Sequence, residues 1–165
     1  MEVTLQGKPV TLKGNQVREG DRFPRFTVMK NDLTPVDSKA FCGIRVFLAV
    51  PSLDTGVCDM EVRSFNKKAS ELPNVSIYAV SMDLPFAQTR WCGAKGVYAV
   101  TTLSDYRDRS FGRATGTLIG ELGLLTRAVF VVDPNGVVVY AEYLQEIGDH
   151  PDYDRIYARL TELIR

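Results

Sequence analysis

The sequence is short of the residues on which several kinds of protein depend. Three cysteines in 165 residues are too few, and too odd in number, for a disulfide-stapled scaffold. A single histidine, His150, argues against a Cys–His catalytic pair and a histidine-rich metal site. It stands beside Pro151 and is expected in an exposed loop. No apolar run approaches the ~18 residues that cross a bilayer. The opening Met1-Glu2-Val3-Thr4-Leu5 has no basic segment ahead of an apolar stretch and does not read as a signal peptide. Neither sign of charge is in excess, with 20 basic and 20 acidic residues. That argues against broad electrostatic binding to nucleic acid or a membrane surface, although a neutral chain can still hold a local basic site. Internal repeats and low-complexity linkers are also lacking, so residues 1–165 read as one domain. A cytoplasmic protein is the simplest reading.

What is present is an alternation of strand and helix patterns. Residues 3–12 predict a small β-hairpin turning near Gly7-Lys8-Pro9. Residues 14–25 read as loop, 26–29 as a short strand, and 31–35 as turn chemistry. The apolar run 44–50 suits a strand buried on both faces and ends at Pro51. A helix pattern follows from about 55 to 72, with Val57, Met60 or Glu61, Phe65 and Ala69 at helical spacing and Pro73 as the stop. Residues 75–80 form the next strand. Asp83 is placed to cap a helix that has Pro85 in its first turn and Gly93 as its stop. A strand over 97–103 and a short helix over 106–115 come next. Residues 128–132 and 137–140 flank Asp133-Pro134-Asn135-Gly136, a clear hairpin. A last amphipathic helix runs from Pro151 to Ile164, with Ile156, Leu160 and Ile164 on one face. This order predicts an α/β architecture with a mixed central sheet, the plan of a thioredoxin-like fold.

The segment Val50-Pro51-Ser52-Leu53-Asp54-Thr55-Gly56-Val57-Cys58 carries the most chemistry. A buried strand runs into a tight turn, and a helix begins. A cysteine in the first helical turn meets free backbone N–H groups and the positive end of the helix dipole. Both favour the thiolate, which is the nucleophilic form. Thr55, three residues earlier, can bring its hydroxyl beside the sulfur. Pro51 can shield the site, since it carries no N–H and is stiff. Cys42, between Phe41 and Gly43, is expected as a small buried core residue.

Pro51, Thr55 and Cys58 match the P-x-x-x-T-x-x-C signature of the peroxiredoxins, and the residues around them resemble the bacterial thiol peroxidase branch, the atypical two-cysteine peroxiredoxins. Ser81-Met82-Asp83-Leu84-Pro85-Phe86-Ala87-Gln88, running on to Arg90-Trp91-Cys92-Gly93, is similar to that branch's stretch around its second cysteine. Leu103-Ser104-Asp105-Tyr106-Arg107 and Arg127-Ala128-Val129-Phe130-Val131-Val132-Asp133 resemble two further stretches in the same order.

The resemblance implies a thiol-dependent peroxidase acting on hydrogen peroxide and organic hydroperoxides. Cys58 is then the peroxidatic nucleophile, Arg127 stabilises its thiolate and the charge growing on the peroxide oxygens, and Cys92 resolves the sulfenic acid as a Cys58–Cys92 disulfide. It further implies thioredoxin as reductant and a homodimer. The three cysteines are too scattered for a zinc or iron–sulfur motif, so no metal is expected, and thiol–disulfide exchange needs no bound cofactor. Arg107 is a possible site-lining residue or one charge of an exposed run. Two cysteines on separate helices are not expected to meet the Cα separation of roughly 4.4–6.8 Å that a disulfide needs, so local unwinding is predicted during turnover. The runner-up is a non-enzymatic peroxide sensor that relays oxidation to a partner protein through the same thiols. A thioredoxin-like disulfide reductase is disfavoured, because Cys58 has no partner three residues on.

Overall fold

The computed structural model describes residues 2–165. Strands β1 (Val3–Leu5) and β2 (Lys8–Val10) form the N-terminal hairpin. Its turn falls on Gln6 and Gly7, both at positive φ, as a two-residue hairpin of the tightest kind demands. Strand β3 (Leu12–Lys13) leaves it to pair elsewhere. Next come β4 (Thr27–Met29), β5 (Pro35–Asp37), a 3-10 turn over Ser38–Ala40, and β6 (Ile44–Ala49). Helix α1 (Gly56–Ala69), β7 (Val75–Ser81), α2 (Pro85–Lys95) and β8 (Val100–Ser104) alternate through the middle. Helix α3 (Ser110–Thr115), the short strands β9 (Leu118–Ile119) and β10 (Leu124–Leu125), the β11 (Ala128–Val132) and β12 (Val138–Tyr143) hairpin, and α4 (Tyr153–Ile164) complete the chain.

Seven strands form the central sheet in the order β12-β11-β6-β7-β8-β4-β5. The inner three, β6, β7 and β8, are parallel and joined by α1 and α2, because parallel neighbours need a crossover. The outer pairs are antiparallel. The sheet is therefore mixed and flanked by helices, as the strand–helix alternation predicted. The remaining strands β10, β9 and β3 make a small separate sheet.

Strand β6 shows why the sheet is buried on both sides. Val46 and Leu48 face Val62 and Phe65 of α1, with Ile156 and Leu160 of α4. Phe47 and Ala49 face the opposite core with Phe26, Phe111 and Phe130. Each large apolar side chain so buried contributes roughly 1.5–3 kcal/mol. Ile164, at the far end of the α4 stripe, is exposed. Among the described residues no helix is long and apolar enough to cross a membrane.

The strand expected over 97–103 is shorter and begins at Val100, the helix expected over 106–115 begins at Ser110, the helix expected to about 72 ends at Ala69, and both expected ends of α2 are corrected. Helix α2 runs through Gly93 and stops at Gly96, whose φ of 68° is the left-handed conformation a C-terminal glycine supplies. Asp83 does not cap α2; Leu84 holds that position without a side-chain bond, because the Asp83 carboxylate is engaged across the fold. Cys42 is likewise exposed rather than in the core. Phe41 takes the inward place, packing on Tyr78 and Phe47 at ring-centroid distances of 4.5 and 5.7 Å, and its neighbour is turned outward.

Candidate active site

The carboxyl end of β6 delivers the chain to buried Pro51 and then to the start of α1. Thr55 is the helix N-cap, in extended conformation, and its Oγ1 accepts the Cys58 N–H at 3.4 Å. The same hydroxyl donates to the Ser52 carbonyl at 3.2 Å. Among the described residues Thr55 makes no hydrogen bond to the Cys58 sulfur, so its hydroxyl is held by backbone on both sides. Cys58 has no solvent exposure and packs against the α1 face of the core.

Arg127, the residue just before β11, reaches this sulfur from the strand beside β6, on the sheet face that α1 covers. Its Nη2 donates to Cys58 Sγ at 3.1 Å, its Nη1 to Glu61 Oε2 at 2.5 Å, and its Nε to the Ile147 carbonyl at 2.8 Å. All three directions of the guanidinium are fixed, and Arg127 and Glu61 are both buried. Burial works against the Arg127 charge, but Glu61 and Cys58 outweigh it and raise its pKa. The Glu61 carboxyl is pushed up to about 7 by burial, against the opposing pull of Arg127. Among the described residues its Oε1 has no hydrogen-bond partner.

Glu61 is the residue that sequence reasoning missed as a functional group. It shared one apolar-stripe position with Met60 in the helix pattern. The structure puts Glu61 inside and Met60 outside, because only the carboxylate answers the Arg127 charge. A carboxylate on an otherwise apolar stripe, three residues after the cysteine, was the available signal.

The loop ahead of Cys58 is tied to the segment ahead of α2. Asp83 accepts from Ser52 Oγ at 2.7 Å, from the Leu53 N–H at 2.8 Å and from Ser81 Oγ at 2.8 Å. Ser81 in turn accepts from Gln88 Nε2 at 3.1 Å. Where α1 and α2 meet, Trp91 Nε1 donates to Asp59 Oδ1 at 3.0 Å. Thr55, Gly56, Asp59, Trp91 and Lys95 line a groove of about 260 Å³ there.

Cys92 lies in the last turn of α2, half-buried and free, and its carbonyl accepts the N–H groups of Gly96 and Val97. Its sulfur is 3.6 Å from Thr102 Oγ1. Burial pushes the Cys92 thiol up, and the Thr102 hydroxyl works the other way. Cys58 is also a free thiol. Of the predicted site residues the structure brings Cys58, Thr55, Pro51 and Arg127 together around the start of α1 and sets Cys92 on the adjoining helix. It does not bring Arg107 to them. That side chain is exposed and pairs with Asp108 at 2.8 Å. His150 is exposed, with Nδ1 at 2.8 Å from the Tyr153 hydroxyl.

A neutral sulfur nucleophile would not need this arrangement. A helix N-terminus and a buried, three-way anchored guanidinium both favour negative charge on the sulfur. A second thiol on a neighbouring helix can accept the oxidation. Comparison with known proteins agrees with that chemistry. Residues 18–157 match the family described as Redoxin. The chain is 59% identical over 156 residues to the thiol peroxidase of Clostridium acetobutylicum, covering 94% of this chain and 95% of that one. It is 52% identical over 165 residues to the thiol peroxidase of Bacillus subtilis, covering 99% of each. Among solved structures, a peroxiredoxin-like protein from Aquifex aeolicus superposes with a TM-score of 0.91 at 41% identity, over 98% of this chain and 96% of that one.

Proposed function

The chain belongs to the redoxin family as a thiol peroxidase, and on that premise we propose that Cys58 is the residue that attacks the hydroperoxide and Cys92 the one that resolves it. The observation that carries this reading is the 3.1 Å contact from Arg127 Nη2 to Cys58 Sγ at a buried helix start. Thiol-dependent reduction of peroxide is the activity of the family. What is proposed is how these side chains divide it.

The Cys58 thiolate attacks one peroxide oxygen, the S–O bond forms, and the O–O bond breaks. The leaving oxygen departs with a proton as alcohol or water, and Cys58 becomes a sulfenic acid. Arg127 holds the sulfur and stabilises charge developing on the oxygens. A preorganised donor of that kind is worth roughly 2.7–4 kcal/mol of barrier. Pro51 shields the site, and Thr55 fixes the helix start by holding the Cys58 N–H. Cys92 then attacks the sulfenic sulfur, the Cys58–Cys92 disulfide forms, and water leaves. Thioredoxin returns the pair to thiols by exchange, so the chemistry needs no bound cofactor.

The whole chain acts as one domain, in the cytoplasm, as a homodimer. Met60, Leu84 and Phe86, on the segments that carry the site, are large apolar side chains left exposed, which supports a covered face in the assembly. The test is consumption of cumene hydroperoxide with thioredoxin, thioredoxin reductase and NADPH. Cys58→Ser is expected to abolish turnover. Retention of full turnover by Cys58→Ser removes the assignment.

A further inference from the structure

A second pocket lies at the opposite end of the central sheet. Cys58 follows the carboxyl end of β6, whereas Arg45 stands near its amino end. There Arg22, Arg25, Lys39 and Arg45 surround an open pocket of about 300 Å³, lined also by phenylalanine side chains and by the turn between β11 and β12. Among the described residues no acidic side chain lines it. Among the described residues none of these four cations forms a salt bridge. The carboxylates nearby in the chain are turned to backbone. Asp21 accepts from the Arg18 N–H, Asp37 from the Lys39 N–H, and Asp133 from the N–H groups of Asn135 and Val137. A chain with no net charge thus concentrates unpaired positive charge in one concavity.

Two of the cations are held in place. Arg45 shares the sheet face of Phe47 and Ala49, where an apolar side chain would be ordinary. Its guanidinium is instead fixed by the carbonyls of Gly43 and Asp133 at 2.7 and 3.1 Å. Arg22 Nη1 donates to the Asn135 carbonyl at 3.3 Å. Both guanidiniums come up to Gly136, where a Cβ would stand 3.5 Å from Arg22 Nη1 and 3.7 Å from Arg45 Nη2. Neither is neutralised by these carbonyls, and both keep donors to spare.

We propose that this pocket binds a small, multiply charged anion carrying phosphate groups, of the size of a diphosphate. Three guanidinium forks match phosphate oxygens in bidentate geometry, and four charges call for more than one anionic group. The volume is at the low end for ligand sites, roughly 300–1,000 Å³, which suits a diphosphate better than a polymer. Inorganic pyrophosphate and the diphosphate of a nucleotide share this chemistry.

The test is titration calorimetry of the reduced full-length protein at low ionic strength with inorganic pyrophosphate, ADP and citrate, with amide NMR shifts to locate binding. Saturable binding of pyrophosphate is expected, with shifts centred on residues 22–26 and 134–137. The Arg25→Gln/Lys39→Gln double variant, which alters only exposed side chains and keeps peroxidase turnover, is expected to bind about ten-fold more weakly. Arg45→Gln should weaken binding as well. ADP binding as tightly as pyrophosphate assigns recognition to the phosphates alone, and tighter ADP binding assigns a share to the nucleoside. The proposal is overturned if neither compound saturates, if the double variant binds unchanged, or if citrate binds more tightly than both.

Discussion

Trp91 Nε1 donates to Asp59 Oδ1 at 3.0 Å, and each residue is the immediate neighbour of a thiol. Asp59 follows Cys58 and Trp91 precedes Cys92. Asp59 also pairs with Arg63 of its own helix at 2.8 Å and with Lys95 of α2 at 3.8 Å. The bond therefore ties together the two segments that carry Cys58 and Cys92, and on the proposed pairing it acts as a latch on disulfide formation. A hydrogen bond to a charged group contributes roughly 1.5–3 kcal/mol. Asp59→Ala and Trp91→Phe are each expected to speed disulfide formation from the Cys58 sulfenic acid by about ten-fold, the equivalent of ~1.4 kcal/mol. Rapid acid quench and thiol counting check this; an unchanged rate in both variants places the barrier elsewhere.

The chain has one tryptophan, so its emission is a clean reporter of the same latch. Oxidation to the disulfide is expected to shift Trp91 emission to the red as the buried indole loses Asp59 and meets water. Cys92→Ser, which can oxidise at Cys58 but cannot close the disulfide, is expected to leave the emission near its reduced value. Stopped-flow fluorescence with one equivalent of peroxide separates the two.

Glu61 makes stability depend on pH in a particular direction. Its folded pKa of about 7 lies above the ordinary value of 4.5, so the folded state holds the proton more tightly. That contribution is present in full below the ordinary value and is lost as pH rises through about 7. The wild-type protein is therefore expected to lose stability relative to Glu61→Gln between about pH 4.5 and pH 7, by an amount on the order of 3 kcal/mol. Urea denaturation at a series of pH values measures it. Parallel curves for the two proteins would mean that Arg127 keeps Glu61 ionised throughout.

Much of this was legible in the sequence, and what was not has physical causes. Strand β6, helix α1 and the β11–β12 hairpin carry their own periods and turn residues, so they could be read locally. Strands β5, β9 and β10 have three residues or fewer, too short for a period to show. Asp83 looked like a helix cap because capping is a local rule, yet its partners Ser52 and Leu53 lie 31 and 30 residues away. The role of Glu61 needed Arg127, which is 66 residues distant. Cys42 was expected inside on the habit of free cysteine, and the inward turn of Phe41 decided otherwise.

The Asp83 tether is expected to set the shape of the loop before Cys58. Asp83→Ala leaves the Leu53 N–H and two hydroxyls without their acceptor and is expected to cost about 2–4 kcal/mol of stability. It should also slow the reaction of Cys58 with peroxide, since the start of α1 loses its anchor. Asp83→Asn, which keeps one acceptor oxygen, should fall between. Denaturation midpoints and single-turnover rates on the same samples check both halves.

Which two sulfurs join decides how the thiols share the reaction. The most direct measurement is peptide mass spectrometry of the reduced protein after one equivalent of hydroperoxide under non-reducing conditions. A cross-link between the peptides of Cys58 and Cys92, with Cys42 left as a free thiol, is the predicted result. A cross-link through Cys42, or Cys58 recovered unmodified, would contradict it.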